Sequence, residues 1–144
     1  MIALTAESTK AIRDHAEQTY PEECCGLLLG ASTAAGTSTG HVVYRVVRMD
    51  NVQDENRARR FLISPAQYLA AERSALAAGM ELLGFYHSHP DHPAVPSEFD
   101  TQHALPWFAY VIISVRNRVS AELTAWVLRE DRSQFEPRSI TEEP

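Results

Sequence analysis

The chain has 144 residues, of which 44% are hydrophobic and 22% charged, and a formal net charge of -6. That length and balance fit one folded domain with a real core, and they exclude a disordered or low-complexity chain. The negative net charge argues against a nucleic-acid partner, whose phosphates need a basic face. Lys10 is the single lysine, and the arginines are dispersed except at Arg57-Ala58-Arg59-Arg60. The two cysteines, Cys24 and Cys25, are adjacent; neighbours in a strand point to opposite faces, which disfavours a disulfide between them. The first residues lack the basic flank and long apolar core of a signal peptide, and no apolar run approaches membrane-spanning length. A cytoplasmic protein with no membrane partner is expected.

In chain order, Thr5 to Thr19 reads as an amphipathic helix capped by Thr5, with Ile12 and Ala16 on one face and a stop at Tyr20-Pro21. Glu22-Glu23-Cys24-Cys25-Gly26-Leu27-Leu28-Leu29-Gly30 is a nearly continuous apolar run led by two acids, the pattern of a strand buried on both faces. Residues 31–40 are small and polar and read as a flexible loop. His41 to Met49, rich in valine and tyrosine, reads as a strand that pairs with the first as a long hairpin. Asp50 to Arg60 is polar and charged, an exposed loop, and Phe61-Leu62-Ile63 adds a brief strand.

Ser64-Pro65-Ala66-Gln67 is a strong helix start, with a serine cap, proline at the first helical position and glutamine placed for a capping box. That helix runs to Gly79, which suits a left-handed C-cap. Glu81 to Ser88 reads as a strand, Ser97 to His103 as a short helical turn, and Tyr110 to Val115 as a buried strand. Asn117 supplies a turn into a hairpin partner over Val119 to Leu128. Residues 134–140 suit one more edge strand, and 141–144 a frayed tail. The order implies an α/β (α+β) domain over residues 1–140, a mixed sheet flanked by helices. His15 and His41 are expected in solvent, and Trp107, Phe108 and Trp126 in the core or its rim.

The chemistry concentrates in residues 86–100, which hold three of the six histidines. In His87-x-His89, residues two apart in a strand share a side about 6.6 Å apart, within reach of a common ion. A catalytic zinc usually takes three protein ligands and keeps a fourth position open. Asp100 is the best third ligand, because the proline-rich segment 90–96 turns the chain and a short helix from Ser97 projects it back. Asp91 and His92 are the competitors. Ser97, three residues before Asp100, also has the spacing of a helix N-cap with an acidic first turn. By rough residue frequencies the combined His-x-His and Ser-x-x-Asp pattern arises by chance in fewer than about one such chain in a thousand.

His87-Ser88-His89-Pro90, six residues, then Ser97-Glu98-Phe99-Asp100 resembles the signature of the JAMM (MPN+) metalloprotease family. Pro21-Glu22-Glu23-Cys24-Cys25-Gly26-Leu27-Leu28-Leu29-Gly30 is similar to the first strand of its short bacterial members. Counting back from Gly26 selects Glu23 as the family's glutamate, with Glu22 the alternative because Glu-Glu and Cys-Cys are doubled. The resemblance extends through the Tyr110–Ser114 strand.

It implies a cytidine-deaminase-like fold in which His87, His89 and Asp100 bind zinc. It also implies catalytic roles for Glu23, as general base, and Ser97, as donor to the developing oxyanion. The implied activity is hydrolysis of an amide or isopeptide bond at the Gly-Gly tail of a ubiquitin-like or sulfur-carrier protein, with release of an attached amino acid such as cysteine the favoured version. Two alternatives stand beside it: a general deubiquitinase-like isopeptidase, and a non-catalytic binding module with a structural zinc. Arg57, Arg59 and Arg60 are candidates to grip acidic residues of the carrier, His92 and His103 are open as supporting groups, and a homodimer is left open.

Overall fold

The computed structural model describes residues 1–35, 38–49 and 64–143. The chain begins with a strand, β1 (Ile2–Thr5), buried from Ile2 to Leu4. Four residues are too few to show an alternating pattern, so the sequence reading began at the helix and missed it. Thr5 caps α1 (Ala6–Thr19) by accepting the Ser8 N–H at 3.1 Å. Ser8, Ile12, His15 and Ala16 form its buried stripe, the spacing of a single helix face.

β2 (Cys25–Ala35) and β3 (Ser38–Met49) form the long hairpin, paired from Cys25↔Met49 to Ala35↔Ser38. The expected loop at 31–40 is therefore largely strand. Ladder pairing needs only backbone N–H and C=O groups, so a segment without an apolar face can still pair. α2 (Pro65–Ala77) carries the expected capping box between Ser64 and Gln67, and Gly79 follows it at φ 70°. Next come β4 (Glu81–Pro90), α3 (Glu98–His103), β5 (Ala109–Arg116) and β6 (Val119–Leu128). Asn117 and Arg118, at φ 49° and 72°, make the turn between the last two, with the positive angles that match hairpin twist. The expected brief strand at Phe61-Leu62-Ile63 and the arginines of 57–60 lie outside the described residues.

The last stretch corrects the sequence reading. A single edge strand over 134–140 gives way to two, β7 (Phe135–Arg138) and β8 (Ile140–Glu143). They lie at opposite ends of one eight-stranded sheet, in the order β7-β6-β5-β4-β2-β3-β1-β8. Only Ser139 separates them, so about 7 Å of chain joins the two edges and the sheet must curl until they meet. The Ile2 N–H donates to Ser139 O at 2.9 Å and fixes the crossing point. Residues 141–143, expected to fray, pair in parallel with β1.

α1 lies along one face of the sheet, over Leu28, Val43, Tyr86, Val111 and Ile113. α2 covers the other face, over Leu27, Leu29, Phe85 and Tyr110. Adjacent residues of β2, β4 and β5 thus enter different cores, which is why those strands read as unbroken apolar runs. Trp107 does not join either core; it is 74% exposed at φ 74°. Phe108 packs on the second core and Trp126 is half-buried.

His15 is also corrected. It is buried, with Nδ1 2.7 Å from Tyr86 Oη, and His41 is half-buried. Burial, and secondarily the Arg48 charge, lowers the His15 pKa to about 4. A pKa depressed below its unfolded value means that folding disfavours the protonated ring. His15 should then cost no stability above pH 6.5, and on the order of 2 kcal/mol should be lost as pH falls towards 4. Denaturant titrations at pH 7 and 4.5 should show this loss reduced in His15→Gln.

The Tyr86 ring lies where a Cβ at Gly26 would fall, and Tyr86 has 0% exposure. Gly26→Ala should therefore destabilise the fold by about 3 kcal/mol in urea unfolding, because neither the ring nor the strand has room to move.

Candidate active site and metal centre

β4 brings His87 and His89 to its C-terminal end on one side, 1% and 6% exposed. α3 brings the third group. Its capping box is reciprocal: Asp100 N–H donates to Ser97 Oγ at 3.0 Å, and Ser97 N–H donates to Asp100 Oδ2 at 2.9 Å. The Ser-x-x-Asp spacing thus starts the helix and turns the Asp100 carboxylate inward. Oδ2 then lies 3.2 Å from both His87 Nε2 and His89 Nε2, which are 3.1 Å apart.

Those three atoms make a nearly equilateral triangle. Around a tetrahedral zinc with bonds of about 2.0–2.1 Å, neighbouring donors lie roughly 3.3 Å apart, so the triangle has the right size. The protonation pattern also fits. His89 Nδ1 is 2.9 Å from Pro93 O, an acceptor, which places the ring proton there and turns the Nε2 lone pair to the triangle. Burial lowers the His87 pKa against the pull of Asp100, which favours its neutral, lone-pair form. Burial opposes ionisation of Asp100, yet the neighbouring imidazoles and the Ser97 N–H hold its carboxyl well below the usual range. Three acceptor atoms facing one another repel unless a cation lies among them. The group could hold a metal ion.

Of the two doubled acids, Glu22 is exposed, while Glu23 is 3% exposed and lines the cleft beside His89 and Ser97. Among the described residues its Oε2 has no hydrogen-bond partner. Burial first, and the Asp100 charge second, push its pKa up to about 9. Glu23, His89, His92, Pro93, Pro96 and Ser97 line one cleft. On the other side of Asp100 lies an apolar cavity of about 320 Å³, between Pro65, Tyr68, Phe85, Phe99 and Tyr110.

Asp91 and His92 stay outside the triangle, as expected. His103 places Nδ1 2.9 Å from Phe99 O and stacks on the Phe99 ring, so it serves its own helix. Arg57, Arg59 and Arg60 lie outside the described residues. The sequence reading missed Ser88. It is fully buried between the two histidines and points to the other face, where its Oγ accepts the Cys24 N–H at 2.8 Å. A hydroxyl inside an apolar strand needs a partner, and that is the signal that could have singled it out. Cys24 and Cys25 are buried and not joined in a disulfide, and burial pushes the Cys24 pKa up to about 11, which suits a packed residue rather than a nucleophile.

Residues 5–129 match the family described as prokaryotic homologs of the JAB domain. The chain is 31% identical over 125 residues to the desampylase of Haloferax volcanii, spanning 83% of this chain and 85% of that one. It is 26% identical over 144 residues to the CysO-cysteine peptidase of Mycobacterium tuberculosis, spanning 99% and 93%. A solution structure of a Desulfitobacterium hafniense protein superposes with a TM-score of 0.82 at 30% identity, covering 99% of this chain and 93% of that one. A mixed, curled sheet with a His-His-Asp triangle at the end of its central strand thus has a family. The chain belongs to the prokaryotic JAB-domain proteins and is a hydrolase of the JAMM type.

Proposed function

We propose that this protein is a zinc-dependent peptidase that hydrolyses the amide or isopeptide bond at the Gly-Gly tail of a ubiquitin-like or sulfur-carrier protein. One observation carries the reading: His87 Nε2, His89 Nε2 and Asp100 Oδ2 converge within 3.2 Å beside a cleft where Glu23 is buried with an oxygen that has no partner among the described residues. A relative named as a peptidase of CysO-cysteine supports release of an attached amino acid as the favoured version.

His87, His89 and Asp100 would hold the ion. Two imidazoles and a carboxylate are a donor set that suits zinc. A bound zinc supplies Lewis acidity and brings water within reach of ionisation near neutral pH. Glu23 Oε2 takes the proton from the attacking water and delivers it to the departing amine, since it lines the cleft and has no competing partner among the described residues. Ser97 keeps its hydroxyl proton, because its Oγ only accepts within the helix cap; that proton can go to the oxyanion, where one donor is typically worth about 2.7–4 kcal/mol. The apolar cavity beyond Asp100 takes an apolar side chain of the carrier tail.

A structural zinc in a binding module is the competing reading. Such sites are closed by four protein ligands, whereas three donors converge among the described residues. The test is metal analysis combined with cleavage of a Gly-Gly-ending carrier joined through an amide to cysteine, run beside the same carrier joined to a lysine side chain. Bound zinc, loss of cleavage on chelation, recovery with zinc and release of cysteine are expected. Preference for the lysine conjugate would favour the general isopeptidase. A zinc-loaded protein that cleaves neither would establish the binding module instead.

A further inference from the structure

Glu23 lies on a short link, Tyr20-Pro21-Glu22-Glu23-Cys24, between α1 and β2. With Oε2 unpartnered among the described residues, the reach of its carboxyl depends on how firmly that link is held. Downstream, the Cys24 N–H donates to Ser88 Oγ at 2.8 Å and the Ser88 N–H donates to Cys24 O at 3.1 Å. Upstream, Tyr20 Oη donates to Asp91 Oδ2 at 2.5 Å. Ser88 sits between the two histidines of β4, and Asp91 is the first residue after that strand. The base-bearing link is therefore tied at both ends to the segment that carries the metal-binding histidines.

Asp91 is itself firmly set. Its N–H donates to Val115 O at 2.6 Å, and its Oδ1 accepts the Asn117 N–H at 2.9 Å. Its φ of 56° is a left-handed conformation that aspartate adopts more readily than most residues, through its short polar side chain. One carboxylate thus joins three places: the end of α1, the end of β4 and the β5–β6 turn.

We propose that the Tyr20–Asp91 hydrogen bond is a latch that registers Glu23 against the His87–His89–Asp100 triangle, which makes Tyr20 and Asp91 positioning residues. This rests on the reading of Glu23 as the base. The loop that follows Asp91 has its own anchors. His92 O accepts from Ser114 Oγ at 2.6 Å, Pro93 O lies 2.9 Å from His89 Nδ1, and Ala94 O accepts from Thr124 Oγ1 at 2.6 Å. Opening the latch therefore leaves the triangle and Ser97 in place and loosens the upstream end of the Glu23 link, which is otherwise held by the Tyr20 N–H to Ala16 O and Glu22 N–H to Thr19 O bonds. Misplacing a catalytic group by about an ångström can cost up to 100-fold in rate, and the loss falls on turnover rather than binding.

Tyr20→Phe removes one oxygen, and Asp91→Asn keeps one acceptor oxygen for either Tyr20 or the Asn117 N–H, with an NH2 that can donate to the Tyr20 hydroxyl. On the carrier conjugate that the wild type turns over, Tyr20→Phe should lower kcat roughly tenfold or more, with KM within about twofold and zinc content unchanged. Asp91→Asn should keep more activity than Asp91→Ala. Tyr20→Phe combined with Asp91→Asn should lose less than the product of the two single losses, because both substitutions act on the shared Tyr20–Asp91 contact. An unchanged kcat in Tyr20→Phe overturns the latch, as does a loss confined to KM or to zinc occupancy. Glu23→Gln, run in parallel, separates the two readings. If it is inactive while Tyr20→Phe is not impaired, the base stands and the latch falls. If Glu23→Gln retains the wild-type rate, both fall.

Discussion

Glu23→Gln should lower kcat by about 10²–10⁴-fold while leaving the metal stoichiometry at the wild-type value, because it removes a proton acceptor and keeps the shape of the side chain. Single-turnover hydrolysis and metal analysis on the same preparation check both halves. The substitution also has a stability consequence of definite sign in metal-free protein. Burial and Asp100 raise the Glu23 pKa from 4.5 to about 9. A raised pKa means that the folded state keeps a proton the unfolded chain has already released. The associated stability is complete below pH 4.5 and is lost progressively as pH rises towards 9. Glutamine has no proton to lose, so metal-free Glu23→Gln should be the more stable protein at pH 8 and about equal to wild type at pH 4 in urea unfolding. A bound cation would reverse the electrostatics at the carboxyl, and the difference at pH 8 should shrink when zinc is added. A mutation that stabilises the protein while removing its activity is the signature of a group held in place for chemistry rather than for folding.

Much of this site could be read in the sequence because its geometry is local. His87 and His89 sit two apart on a strand, and Ser97 and Asp100 sit at the cap spacing of a helix, so period and capping rules alone bring four groups together. Glu23 is separated from them by a hairpin and a helix, and only its likeness to a family strand picked it out. Glu23 is buried and Glu22 exposed although both lie in the link before β2, so no strand pattern distinguishes them.

What escaped the sequence reading was either too short to show a period or dependent on long-range closure. β1 and β8 are four residues each, and they pair with each other and not with their sequence neighbours. The curl that joins the sheet edges through Ser139 is a property of the whole sheet, with no local signal. Asp91 reads in the sequence only as a competitor to Asp100 for the metal. Its Tyr20 and Asn117 partners lie 71 and 26 residues away and leave no trace in the local pattern.

Asp100→Asn should empty the metal site while leaving α3 standing, and the reason lies in the sharing of a single atom. Oδ2 both accepts the Ser97 N–H and closes the triangle with the two Nε2 atoms. An asparagine oxygen can still accept from Ser97, so the reciprocal cap survives and with it the helix start. Lost is the negative charge, which burial opposes and which the His87 and His89 contacts sustain. Without it, two neutral imidazoles remain, and two ligands fall short of the three that a catalytic zinc usually takes. Zinc content should fall below a tenth of the wild-type level, and hydrolysis with it. Circular dichroism should remain native, and thermal stability in chelator at pH 7 should fall below that of chelated wild type, since the fold holds the Asp100 carboxyl below its usual pKa and so draws stability from its ionised form. Added zinc should raise the melting temperature of the wild type and leave Asp100→Asn unmoved, because a ligand stabilises only a fold that binds it. If Asp100→Asn instead retains a full equivalent of zinc, the triangle is not the metal site. Glu23 would then have no ion beside which to act.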